Sequence, residues 1–153
     1  MPQDVTLVRS QLRQAGLRVT GPRQAVLEWL DAHPRATADE IGRGVRDGGS
    51  PVSTQAVYDV LAACTGAGLV RSIEPAGHPA RHERRTGDNH HHLACRICGR
   101  IEDTDCATGE PRCLTPGDDR GYDVDEAEVV FWGVCLECSG AAPVTEPSTA
   151  CTR

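Results

Sequence analysis

Residues 88–99, DNHHHLACRICG, set three consecutive histidines directly before a Cys-x-x-Cys pair. A single metal site has no ready use for all five side chains. In an extended strand, side chains alternate between two faces. If residues 90–95 form a strand, His90 and His92 point one way, and His91, Leu93 and Cys95 point the other. The pattern predicts two metal sites back to back, one rich in nitrogen and one rich in sulfur.

The sulfur-rich site finds its complement forty residues on, where Cys135-x-x-Cys138 repeats the spacing of Cys95-x-x-Cys98. Two such knuckles suit a closed tetrahedral zinc site, and four thiolates leave no open position, so its role is expected to be structural. The segment between the knuckles is too short to bury much surface, which makes a metal staple useful. A redox dithiol is the competing reading, but thioredoxin-like motifs come singly on a βαβ unit.

On the opposite face, His90 and His92 need further ligands. Glu83, before the histidines, and Asp103, on the strand expected after the knuckle, are both within reach, and His33 closes an N-terminal helix. Imidazole and carboxylate donors together suit Fe(II), Mn(II) or Zn(II) rather than a soft metal. The alternative is a histidine-rich strand that is simply exposed. His91 faces away and is expected behind the ligands or in solvent. Cys106 and Cys113 lie in an acidic loop that disfavours the thiolate, and having no role is preferred over extra ligation or thiol sensing. Cys64, Trp29 and Trp132 are expected in packing, and His78 and His82 in solvent.

The N-terminal half has a different periodicity. Val5, Val8 and Leu12 recur at helical spacing. A second helix follows Thr20 or Gly21, with Pro22 in its first turn, where proline is tolerated. Thr37 and Glu40 form a capping-box pattern before a third helix. Ser53 caps a fourth, whose apolar positions are Val57, Val60, Leu61 and Cys64. A hairpin over residues 69–84 completes a winged helix-turn-helix. In such a module the helix after Ser53 enters the DNA major groove. Ser53, Thr54, Gln55 and Tyr58 then lie where bases and phosphates are met, with Arg18 and Arg23 near the backbone.

The organisation expected is a winged-helix domain over residues 1–85, a polar hinge over 86–89, a metal-binding domain over 90–139 and a disordered tail over 140–153. The last strand is expected to run over residues 122–133. Charge divides along the same line. Residues 1–85 carry eleven arginines against nine acidic residues, a balance of +2, and residues 86–153 carry five against thirteen, a balance of −8. Lysine is absent, so every fixed side-chain cation is a guanidinium, the better fork for phosphates and base edges. The first residues lack a signal-peptide pattern and no apolar run approaches a bilayer span, so a cytoplasmic protein with reduced cysteines and no membrane partner is expected. A histidine/carboxylate metalloenzyme is the reading from another class. It would need an open metal position and a substrate pocket, and few aromatics are present to line one.

The stretches LRVTGPRQAVLEWL, HPRATADEI, VSTQAVYDVL, GLV, DNHHHLACRICG and VVFWGVCLEC occur in the order and spacing of a known family. Over about residues 7–139 the chain resembles the ferric uptake regulator (Fur) family of metal-dependent repressors. The resemblance implies an α+β protein, with an N-terminal winged helix-turn-helix domain and a small α/β dimerisation domain holding a four-cysteine zinc site. It implies a homodimer on a pseudo-palindromic double-stranded DNA operator. Regulatory ligands fall on His33, Glu83, His90, His92 and Asp103, structural zinc on Cys95, Cys98, Cys135 and Cys138, and a base-contacting tyrosine on Tyr58. Asp103 resembles the peroxide-sensing branch, and the wording of the C-terminal half resembles the actinobacterial catalase-regulator group. A repressor sensing peroxide through Fe(II), or holding Mn(II) in its place, is therefore expected, with an iron- or zinc-uptake regulator as the alternative. Two positions depart from the pattern. Asp59 follows Tyr58 where many relatives carry a basic or neutral residue. Ala127 stands where some members place a histidine of an additional metal site, so that site is not expected.

Overall fold

Thr20, Thr37 and Ser53 each start a helix by accepting a hydrogen bond from a backbone N–H of the first turn. The computed structural model in which they do so describes residues 5–84, 90–105, 116–124 and 129–140. The expected hinge over 86–89, Cys106, Cys113, Ala127 and the tail beyond Gly140 lie outside the described residues. The chain divides into two compact units, residues 1–90 and 91–153.

The first unit contains α1 (Val5–Gln14), α2 (Gly21–Ala32), α3 (Ala38–Asp47) and α4 (Thr54–Gly66). Thr37 and Glu40 form the full reciprocal capping box on α3. Val8 and Leu12 of α1, Val26, Leu27 and Leu30 of α2, Ile41 and Val45 of α3, and Val57, Val60, Leu61 and Cys64 of α4 close one apolar core. Each set recurs at three- and four-residue spacing, so each helix buries one stripe. Cys64 is wholly buried there, and burial raises its thiol pKa. Strands β1 (Ala36–Thr37), β2 (Val70–Ile73) and β3 (Arg81–Arg84) form an antiparallel sheet in the order β1-β3-β2. Arg84, 9% exposed, fastens the wing to the helices: its Nε donates to Asp31 Oδ1 of α2 at 3.1 Å, and its Nη2 to Gln11 Oε1 of α1.

The wing differs from expectation at His82. Ala36 pairs with His82, so the short β1 turns a hairpin into a three-stranded sheet with β3 in the middle. His82 is buried rather than solvated, its Nδ1 has no hydrogen-bond partner among the described residues, and burial lowers its pKa, opposed by the nearby Glu74 carboxylate.

The second unit holds β4 (His90–Cys95), β5 (Ile101–Asp105), β6 (Val130–Gly133) and the short α5 (Leu136–Ser139), with sheet order β5-β4-β6. β4 and β6 run parallel, His92 opposite Val130 and Cys95 opposite Gly133. The strand expected from residue 122 is a correction: residues 122–124 are irregular and β6 begins at Val130. Asp118 Oδ1 accepts from the Arg120 N–H at 3.0 Å and Asp119 Oδ1 from the Gly121 N–H at 2.9 Å. These local side-chain bonds satisfy the backbone in turns and compete with a strand ladder. Among the described residues, no helix is long and apolar enough to cross a membrane.

Candidate functional site

The sulfur cluster is built by the two knuckles. β4 delivers Cys95, the turn after it delivers Cys98, the N-cap of α5 is Cys135, and α5 itself delivers Cys138. Gly99 takes φ +72° and returns its N–H to the Cys95 carbonyl at 3.0 Å, closing the first turn where a side chain would be strained. One Sγ from each of the four cysteines lies within 4.8 Å of the others. The Cys98 and Cys135 sulfurs stand 3.8 Å apart. A tetrahedral zinc with bonds of about 2.3 Å has sulfur–sulfur edges of roughly 3.8 Å, so the spacing suits that ion.

The electrostatics of the cluster agree. The Cys135 N–H donates to Cys95 Sγ at 3.3 Å. That bond, followed by one from the Cys98 N–H, holds the Cys95 thiol down to about 6. Cys138 is pushed up to about 12, first by its hydrogen bond with the Cys135 side chain and then by desolvation. One thiolate is thus readily formed and the last strongly resisted, as expected of four sulfurs crowded around one point. A dication at that point offsets the repulsion and allows all four to ionise.

On the other face of β4, His92 is wholly buried and its Nε2 lies 3.7 Å from Asp103 Oδ1 on β5. Parity is obeyed here: Cys95 reaches the sulfur cluster, and His92, three positions earlier, faces Asp103. His91 is 4% exposed, which rules out solvent. It meets Phe131 edge-on, with ring centroids 6.3 Å apart, and its Nδ1 has no hydrogen-bond partner among the described residues.

Two further predicted ligands lie in the first unit. Glu83 is buried on β3, paired in register with Arg71 of β2 and 3.9 Å from its guanidinium. His33 is the C-cap of α2 and exposed. Its Nδ1 lies 3.0 Å from the Trp29 carbonyl oxygen, and its ring stacks on the Trp29 indole with centroids 4.1 Å apart and planes 13° from parallel. Trp29 also packs, as expected, partly buried against the core of the first unit. The Trp-x-x-x-His spacing, which places both rings on one helix face, was the signal that could have revealed the stack.

Four of the residues predicted to contact DNA share the exposed start of α4. Ser53, Thr54, Gln55 and Tyr58 are exposed along the start of α4, opposite the buried Val57, Val60 and Leu61. Arg23 Nη1 donates to the Arg18 carbonyl at 2.8 Å, which joins the start of α2 to the segment before it.

The chain matches the model of the ferric uptake regulator family over residues 14–132. It is 59% identical over 129 residues to the transcriptional regulator FurA of Mycobacterium tuberculosis (strain ATCC 25618 / H37Rv), a match covering 84% of this chain and 88% of that protein. It is 31% identical over 130 residues to the peroxide-responsive repressor PerR of Staphylococcus aureus (strain NCTC 8325 / PS 47), covering 84% and 87%. Among solved structures, the ferric uptake regulator from Pseudomonas aeruginosa with manganese superposes with a TM-score of 0.73 at 29% identity, covering 84% of this chain and 98% of that one. These relatives are regulators, not enzymes, which removes the metalloenzyme alternative.

Proposed function

The chain belongs to the ferric uptake regulator family of transcription regulators, and on that premise we propose that it is a homodimeric, metal-dependent repressor that senses peroxide through bound Fe(II). Its targets are oxidative-stress genes such as one for catalase. Structural zinc is held by Cys95, Cys98, Cys135 and Cys138. The regulatory ion, Fe(II) or Mn(II), is held by His33, Glu83, His90, His92 and Asp103, ligands drawn from both halves of the sequence. Ligation therefore couples the DNA-binding half to the half that carries the dimer.

The observation that carries the reading is the buried His92 with its Nε2 3.7 Å from Asp103 Oδ1. A buried imidazole beside a carboxylate is a nitrogen and oxygen donor set, which suits Fe(II) or Mn(II). Support for a dimer comes from apolar surface left exposed in the second unit at Leu93, Phe131, Trp132, Val134 and Leu136. Support for DNA comes from the exposed polar start of α4, where Tyr58 is 52% exposed. Bound Fe(II) would supply the one-electron reduction of peroxide. The chain's part is to hold imidazoles close to where that happens.

An iron-responsive uptake regulator is the second reading, favoured by the name of the family. Binding to a palindrome from the chain's own upstream DNA separates the two. A peroxide sensor loaded with Fe(II) releases that DNA when equimolar peroxide is added, whereas the Mn(II)-loaded protein keeps it. An uptake regulator releases it only when a chelator removes the metal. A protein whose DNA binding ignores metal altogether would end both readings.

A further inference from the structure

We propose that Trp29 is a positioning residue for His33, holding its imidazole in the tautomer and orientation that leave Nε2 free to ligate a metal. The inference rests on the assignment of His33 as a regulatory ligand. His33 sits at the exposed end of α2, where a side chain is ordinarily free to turn. Three contacts remove that freedom. A carbonyl oxygen can only accept, so the 3.0 Å approach of His33 Nδ1 to the Trp29 carbonyl puts the hydrogen on Nδ1 and leaves the lone pair on Nε2. The same carbonyl also takes the His33 backbone N–H at 3.1 Å, which ties the cap to the ring it orients. The indole then lies nearly parallel against the imidazole, 4.1 Å between centroids.

The indole is itself held. A Cβ added at Gly44 of α3 would overlap Nε1, Cε2 and Cζ2 of Trp29, so the indole rests on bare helix backbone. Glycine within a helix is less favourable than alanine. At this position that cost makes room for the ring. Gly44, Trp29 and His33 thus form a chain of contacts from α3 to the proposed ligand. Fixing the imidazole before the ion arrives removes an ordering cost from binding, and partners of this kind typically alter metal affinity ten- to a hundredfold.

The test uses Mn(II), which binds without oxidising the ligands, titrated into the zinc-loaded full-length protein. Trp29→Ala should weaken Mn(II) binding by about tenfold, and Trp29→Phe should restore most of it. Gly44→Ala, with Trp29 intact, should weaken binding because the indole loses its seat. The double variant Trp29→Ala/Gly44→Ala should bind no more weakly than Trp29→Ala alone. Nitrogen-15 spectra of the imidazoles give a readout that a purely structural role would not move: His33 should show a single Nδ1–H tautomer in the wild type and a mixture in Trp29→Ala, where the unstacked ring is free to swing away from the residue-29 carbonyl that the variant retains. Wild-type affinity and a single tautomer in Trp29→Ala, with Mn(II) binding lost in His33→Ala, would overturn the role of Trp29 and leave His33 as a ligand. Wild-type affinity in His33→Ala would remove the ligand assignment and this inference with it.

Discussion

Gln55 and Asp59 lie one turn apart on the exposed side of α4, and the Gln55 amide Nε2 donates to Asp59 Oδ1 at 2.9 Å. The pair flanks Tyr58 on the surface proposed to meet DNA. Asp59 therefore engages a side chain expected where bases and phosphates are met, and on that reading it would set a negative charge beside the DNA backbone. Asp59→Asn keeps a hydrogen-bond acceptor and deletes the charge. Affinity for any duplex should rise by roughly two- to fivefold at low salt and converge with wild type as salt increases, because the repulsion is screened. Fluorescence anisotropy across a salt series measures this. Superimposable curves would show that Asp59 stays clear of the phosphate backbone.

Tyr58 and Arg23 should behave differently from one another. Tyr58→Phe keeps the ring and removes one hydroxyl from an exposed position. If that hydroxyl reads a base, specific binding falls by roughly 1 to 3 kcal/mol while non-specific binding holds. Arg23→Ala should weaken specific and random DNA alike and flatten the dependence on salt, since a phosphate contact carries no sequence information. Titrations against an operator and a scrambled duplex separate the two, and equal losses on both duplexes for Tyr58→Phe would remove it from base recognition.

The sulfur cluster gives a stability prediction. Cys135 supplies a thiol, and its backbone N–H donates to Cys95 Sγ. Cys135→Ser keeps the N–H and loses the sulfur. Zinc content measured on purified protein should fall well below one ion per chain. Dimer population should fall with it, because zinc binding in such a site is folding free energy. Retention of full zinc and of the dimer would break the four-cysteine assignment.

These features were unequally legible in the sequence. The caps at Thr37 and Ser53 were plain because a side-chain acceptor three residues before a free N–H is a local device, independent of tertiary context. Strand parity separated His92 from Cys95 for the same reason: a two-residue period needs nothing beyond the strand itself. The burial of His82 could not be read, because it depends on Ala36 pairing across more than forty residues to make β3 a central strand. The irregular backbone over residues 122–124 was hidden by aromatic and β-branched residues that resemble a strand, while aspartates just upstream close turns instead. Trp29 was half legible. Its spacing from His33 was in the sequence, but the room made for it by Gly44 belongs to the packing of α2 on α3.

His82 makes stability depend on pH. Burial lowers its folded pKa below the ordinary 6.5, so between those two values the unfolded chain binds more protons than the folded one. Stability contributed by neutral His82 is present above 6.5, falls as the pH drops through that value, and levels off once the folded form is protonated as well. His82→Leu removes the titration and keeps an apolar side chain at a buried position. Urea midpoints between pH 5 and 8 should therefore slope less steeply in the variant than in the wild type. Equal slopes would place the pH dependence in other groups that titrate in this window, the Cys95 thiol among them.

Peroxide provides the most specific prediction. If His33 and His90 ligate Fe(II), an oxidant produced at the metal meets their imidazoles first. One oxygen atom should then be found on the peptide carrying His33 or on the one carrying His90, after equimolar peroxide and only with Fe(II) bound. DNA binding should be lost in proportion, and a thiol reductant should not restore it. Mn(II) protein should show neither change, because Mn(II) does not readily give up an electron to peroxide. The stack on Trp29 leaves a mark of its own: its indole lies 4.1 Å from the His33 ring, within reach of an oxidant that escapes the imidazole, so a minor fraction of the oxygen should appear on Trp29 in the same peptide. Tandem mass spectrometry separates the two positions. Recovery of DNA binding on reduction, with Cys106 or Cys113 in a disulfide and both histidines intact, would replace iron chemistry by a thiol switch.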